Sequence, residues 1–201
     1  DDMVQVASHI RAERWVLFDA VATLIEPRPC VVQVYLDAGA KWGWSGGADV
    51  LRNRFQLAVK QCFPLGEPTS EAAERDRWRQ TVQSVFRELP PAESAAVFEE
   101  LWSHFAATSA WRVFADVLPC WKTLAMDGYR IAIASNFDAR LRQIATGLSP
   151  LNQADRIFIS TELGWSKPDV RFYQSIRREL PCDQIWIDRK STRLNSSHTS
   201  I

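Results

Sequence analysis

Several functional classes leave no mark on this sequence. Its four cysteines, Cys30, Cys62, Cys120 and Cys182, are widely separated. No Cys-x-x-Cys pair occurs, and no histidine lies near enough for a zinc pattern. The cysteines read as reduced core thiols. No stretch stays apolar over the length of a bilayer span. The opening Asp1-Asp2-Met3 is acidic and has neither the basic flank nor the apolar stretch of a signal peptide, which sets the expectation of a cytoplasmic protein. Neither sign of charge dominates, since Lys+Arg and Asp+Glu number 24 each. Nothing therefore draws the chain to nucleic acid or to an anionic membrane surface.

What is present is an ordinary globular composition, 46% hydrophobic and 24% charged over 201 residues. That length suits one α/β core plus an insertion. Nine tryptophans are the unusual feature. With no basic groove beside them, they read as packing between core and insertion rather than as a stacking surface.

The chain divides by pattern. A solid apolar run, Trp15-Val16-Leu17-Phe18, predicts a buried strand over 14–19 that stops at Asp19. Pro27 and Pro29 then open a helical region. Helices are predicted from Val31 to near Gly43, from Gly47 to Phe63, from Thr69 or Ser70 to Leu89, and from Ala92 to Ala107. The second is expected to bury Val50, Leu51, Phe55, Leu57, Val59 and Phe63. From residue 112 the pattern alternates: a helix around Trp121, a strand over 129–135, a helix over 141–148, a strand over 156–160, a helix over 169–180 and a strand over 184–187. Such alternation implies a parallel sheet. The expected architecture is α/β, a Rossmann-like parallel sheet from residues 1–28 and 111–187, interrupted by an all-helical cap domain over 29–110.

Three short clusters could carry chemistry. Asp19 ends the first strand, where open α/β sheets place their reactive groups, although aspartates end strands equally well as turn residues. Ser135-Asn136-Phe137-Asp138 follows the second core strand. Its polar groups could cradle an anionic oxygen, or Asn136 or Asp138 could simply cap a helix. The third is Ser160-Thr161-Glu162-Leu163-Gly164-Trp165-Ser166-Lys167-Pro168-Asp169. Lys167 there could balance charge on a nucleophile, or be an ordinary surface lysine.

Taken in order, each after its own strand, these clusters resemble the motifs of the haloacid dehalogenase (HAD) superfamily. The phrase Phe18-Asp19-Ala20-Val21-Ala22-Thr23-Leu24-Ile25 matches its first motif, Ser135-Asn136-x-Asp138-x-Arg140-Leu141 its second, and Lys167-Pro168-Asp169 its third. The resemblance implies a hydrolase acting on a small phosphorylated or halogenated metabolite. By it Asp19 is the covalent nucleophile, Lys167 balances charge, and Thr23, Ser135 and Asn136 position the substrate. Asp19 and the Val21 backbone carbonyl would hold Mg²⁺, and the cap would select the substrate. Two departures stand out. Val21 occupies the position where superfamily phosphatases carry a second aspartate as acid/base, and Ala22 replaces a common glycine. Dehalogenases also lack that second acid, because a halide leaves without a proton. Two alternatives therefore accompany the phosphatase reading: a 2-haloacid dehalogenase-type hydrolase and a non-catalytic binding protein.

The fourth motif should follow strand 184–187 with acids that complete the metal site. Instead the chain continues Asp188-Arg189-Lys190-Ser191-Thr192-Arg193-Leu194-Asn195-Ser196-Ser197-His198. Back-translated, this run resembles a sequencing adapter. Residues 188–201 are therefore expected to be a non-native tail on a C-terminally truncated member, outside the core, with Asp188 no metal ligand.

Overall fold

A computed structural model describes residues 13–180 and 184–187. In chain order the elements are β1 (Arg14–Phe18), β2 (Ile25–Pro27), α1 (Val31–Lys41), α2 (Ala48–Cys62), α3 (Glu71–Val85), α4 (Pro91–His104) and β3 (Trp111–Val113). Then follow α5 (Val117–Met126), β4 (Tyr129–Ser135), α6 (Arg140–Gly147), β5 (Arg156–Ile159), the single turn α7 (Ser160–Leu163), α8 (Val170–Glu179) and β6 (Gln184–Ile187). The adapter-like run and Cys182 lie outside the described residues.

Four strands form one parallel sheet in the order β5-β4-β1-β6. Successive side chains of a strand point to opposite faces, and both faces here are apolar. Trp15 and Leu17 of β1 join Ala132 and Ala134 of β4 on one face, under Phe172 and Ile176 of α8. Phe18, Ile131 and Ile133 lie on the other, in the cluster that holds Val117 and Trp121 of α5 and Leu141 and Ile144 of α6. Covering on both sides is what an all-parallel sheet requires.

The chain leaves the sheet along β2 and returns along β3, which pair antiparallel with Glu26 directly opposite Arg112. Those two side chains form an ion pair across the ribbon. The ribbon was absent from the sequence reading, which made Pro27 a break. Three residues a side show no alternation, and the pairing joins segments more than eighty residues apart in sequence.

Between the two ribbon strands lie α1–α4, packed around Tyr35, Phe55, Phe86, Val97 and Leu101. Ser70 caps α3, accepting from the Ala73 amide at 3.2 Å. Gly39 sits inside α1 because a Cβ there would come within 2.5 Å of the Phe86 ring. Two details of the sequence reading are corrected. Val50 and Leu57 of α2 are exposed, because helical phase turns Leu51, Phe55 and Ala58 into the core, with Val59 packed at its edge, and leaves these two outside. The described cysteines are free, but Cys30 and Cys120 are exposed and Cys62 half-buried rather than core. Several tryptophans do pack internally: Trp44, Trp111 and Trp121 are buried in the main cluster. Among the described residues no helix is long and apolar enough to cross a membrane.

Candidate active site

The strand ends bring the first and second clusters together. β1 and β4 run in register with Phe18 opposite Ile133, so Asp19 and Ser135 emerge at the same, C-terminal edge of the sheet. Ser135 Oγ donates to Asp19 Oδ1 at 3.0 Å. The third cluster arrives after β5 and α7, where Gly164 ends the turn in the left-handed conformation. Lys167 Nζ reaches the same Asp19 Oδ1 at 2.9 Å and donates to the Ala134 carbonyl at 2.8 Å. The Ala20 amide also donates to Oδ1, at 2.9 Å. All three donors fall on one carboxylate oxygen. Oδ2 has no hydrogen-bond partner among the described residues.

Asn136 lies beside Lys167 at the edge of the cavity. Its amide brackets the Lys167 backbone, donating to the Lys167 carbonyl at 3.0 Å and accepting from the Lys167 N–H at 2.7 Å. Its amide group thus holds the lysine segment. Thr23 is buried in the turn after β1, where the amides of Leu24 and Ile25 both donate to the Ala20 carbonyl. Val21 is 7% exposed and Ala22 adopts φ 65°, a left-handed conformation that glycine takes without strain.

Asp138 and Arg140 form a buried fork. Arg140 donates to both Asp138 oxygens at 2.7 Å, and Asp138 is 1% exposed. The guanidinium also stacks 3.4 Å from the Trp102 ring centre and donates to the Trp102 carbonyl at 3.1 Å, tying α6 to α4. The segment before α3 is tied to the sheet as well. The Thr69 amide donates to the Gly164 carbonyl at 3.1 Å, Ser166 Oγ donates to the Glu67 carbonyl at 3.0 Å, and Pro68 forms a bridge with Trp165. Glu71 accepts from the Ala139 amide at 2.9 Å and from the Thr161 hydroxyl.

Beside Lys167 and Asn136 lies a cavity of about 230 Å³ between α1–α4 and the strand ends. Tyr35, Phe55, Trp78, Phe98 and Trp102 are among its walls, and Glu74, Arg77, Asp138 and Arg140 also border it. Burial, and next the negative Asp138, push the Glu74 carboxyl up to about 6, against the pull of Arg77 and the Thr69 hydroxyl. In the sequence Glu71 and Glu74 are simply acids in the first turn of α3. No local signal shows that one latches onto Thr161 and the other faces a cavity, because both partners arrive from distant segments.

The comparisons with known proteins agree with this arrangement. The haloacid dehalogenase-like hydrolase family pattern matches residues 13–186. Haloacid dehalogenase-like hydrolase domain-containing protein 3 from Bos taurus is 28% identical over 166 residues, covering 80% of this chain and 66% of that protein. Its Homo sapiens counterpart is 26% identical over 171 residues, covering 82% and 68%. The chain thus spans about two-thirds of the length of these curated relatives. Among solved structures, a defluorinating L-2-haloacid dehalogenase superposes with a TM-score of 0.63 at 21% identity, over 87% of this chain and 72% of that one. The magnesium-bound structure of YfnB from Bacillus subtilis superposes with a TM-score of 0.64 at 15% identity, over 89% and 81%. At such identities the superpositions speak for the fold, while the match over residues 13–186 settles the lineage: this chain belongs to the haloacid dehalogenase-like hydrolases.

Proposed function

We propose that the chain catalyses nucleophilic substitution on a small molecule, with the Asp19 carboxylate as nucleophile. One observation carries this reading: Ser135 and Lys167 converge within 3.0 Å on Asp19 Oδ1 at the end of β1. Oδ2 attacks an electrophilic carbon, forming an ester, or phosphorus, forming an acyl phosphate, as the bond to the leaving group breaks. The leaving group takes the electron pair. Water then splits the covalent intermediate, releases the product and restores the carboxylate. Lys167 offsets negative charge that builds near Asp19, and Asn136 keeps the lysine in place.

The leaving group is constrained by Val21. A buried valine two positions after the nucleophile has no proton to give. Leaving groups that depart as stable anions fit best: a halide from a 2-haloacid, or an acidic alcohol from an aryl phosphate. Poor leaving groups, such as the alcohol of an alkyl phosphate, fit worse.

Mg²⁺ coordination calls for several oxygen ligands in near-octahedral geometry. Among the described residues no group of three His, Cys, Asp or Glu side chains could hold a metal ion. Asp19 and the Val21 carbonyl would be the described residues' share of a Mg²⁺ site, with water and substrate oxygens filling the rest of the shell, where the ion would offset charge on the substrate. No step above passes through it. α1–α4 act as the cap that selects the substrate, a role supported by the cavity they share with Lys167.

Turnover of 2-haloacids, aryl phosphates and alkyl phosphates, each with and without added Mg²⁺, tests this reading. Product release from the first two classes, lost in Asp19→Asn with the circular dichroism unchanged, supports it. Retention of most activity in Asp19→Asn sinks it. No turnover of any class assigns the chain to non-catalytic binding instead. In an active protein, Val21→Asp should raise alkyl phosphate hydrolysis by about 10²–10⁴-fold, and aryl phosphate hydrolysis far less.

A further inference from the structure

We infer that the substrate carries an aromatic or similarly bulky apolar body, neutral away from its reacting end, which fills the cavity beside Lys167. The inference rests on the reading of Asp19 as nucleophile and adds the class of molecule that reaches it. Three observations support it.

The first is size. An apolar cavity of about 150 Å³ takes up benzene. One of about 230 Å³ therefore has room for a phenyl ring and a short linker. A two- or three-carbon haloacid leaves most of it empty, and burying so little apolar surface yields little affinity.

The second is the lining. Tyr35, Phe55, Trp78, Phe98 and Trp102 line it from all four of the helices α1–α4. Rings so arranged favour an aromatic guest beyond the area it buries. Arg140 lies flat on Trp102, which holds that wall rigid.

The third is charge. Every ionic group at the cavity already has an opposite partner. Arg140 pairs with Asp138 at 2.7 Å, Lys167 with Asp19 at 2.9 Å, and Arg77 lies 3.9 Å from Glu74. Among the described residues no cation remains over to receive a distal phosphate or carboxylate, and a distal ammonium would meet Arg77 and Arg140 as well as the acids. The far end of the substrate is therefore uncharged. Only its reacting end meets Asn136 and Lys167.

Binding of unreactive ligands to the 201-residue chain by calorimetry tests this apart from catalysis. The probes are two matched pairs, lactate against 3-phenyllactate and methylphosphonate against benzylphosphonate. In at least one pair the phenyl member should bind about 10- to 50-fold tighter, the gain for burying one ring. Val59→Phe, which fills the cavity from α2, should abolish that preference while leaving the small member's affinity within about twofold. Equal affinities in both pairs, no binding by either phenyl ligand, or a preference that survives Val59→Phe overturns the inference. A phenyl preference without turnover of any ester or haloacid overturns only the nucleophile reading.

Discussion

Lys167 and Glu74 show how one residue's surroundings set its task. Lys167 is held by its own backbone as well as its ammonium, since Asn136 brackets the former and the Ala134 carbonyl accepts from the latter. Lys167→Met removes a charged donor from Asp19 while keeping the length of the side chain. Loss of such a donor costs about 10²–10³ in kcat, to be read with the best substrate found. Glu74 borders the same cavity, and its folded value of about 6 exceeds its ordinary 4.5. An acid with a raised value binds more protons folded than unfolded between those two limits. Stability from this group is therefore greatest below pH 4.5, falls as pH rises to 6, and stays lowered above. The difference amounts to about 2 kcal/mol at most. Glu74→Gln should accordingly gain up to about 2 kcal/mol relative to the parent between pH 4.5 and 7, read from denaturant midpoints at both pH values. A constant difference across that range contradicts the burial argument.

At the scale of single elements, two turns carry the site. The turn after β1 folds on the Ala20 carbonyl and forces Ala22 to φ 65°. Ala22→Gly removes that strain and should stabilise the fold by up to about 1 kcal/mol, part of it returned through the freer unfolded chain. The turn after β4 is built on the Asp138–Arg140 fork. Asp138→Ala leaves the Arg140 guanidinium, itself 14% exposed, without its carboxylate, at a cost of about 3–5 kcal/mol in thermal or denaturant unfolding. These turns were the legible part of the sequence. Apolar runs ending in Asp19 and in Ser135 predicted both strands, and 129–135 matches β4 residue for residue. The β2–β3 ribbon was illegible because it rests on three cross-strand pairs between segments more than eighty residues apart, Glu26 with Arg112 at their centre, rather than on any local run. The solvent side of α2 was misread for a related reason. Val50 and Leu57 are apolar, yet helical phase turns them away from Leu51 and Phe55.

The whole molecule is a sheet with a helical block seated over its reactive edge. Order and type of the four sheet strands and of the longer helices were readable from periodicity; the cavity was not, because its walls come from α1–α4 and its floor from the segments after β4 and β5. Glu71→Ala removes the acceptor for the Ala139 amide and the Thr161 hydroxyl, and should lower stability by about 1–3 kcal/mol. Amide hydrogen exchange at Thr69, whose partner is the Gly164 carbonyl, should quicken in the same variant, while β1 and β4 stay protected. A mechanical consequence follows from where these ties attach. Pro68 grips Trp165 and Glu67 grips Ser166, and the very next residue is Lys167. The segment ahead of α3 is thus fastened to the residues immediately before Lys167, so any displacement of it would be transmitted to the Lys167–Asp19 pair.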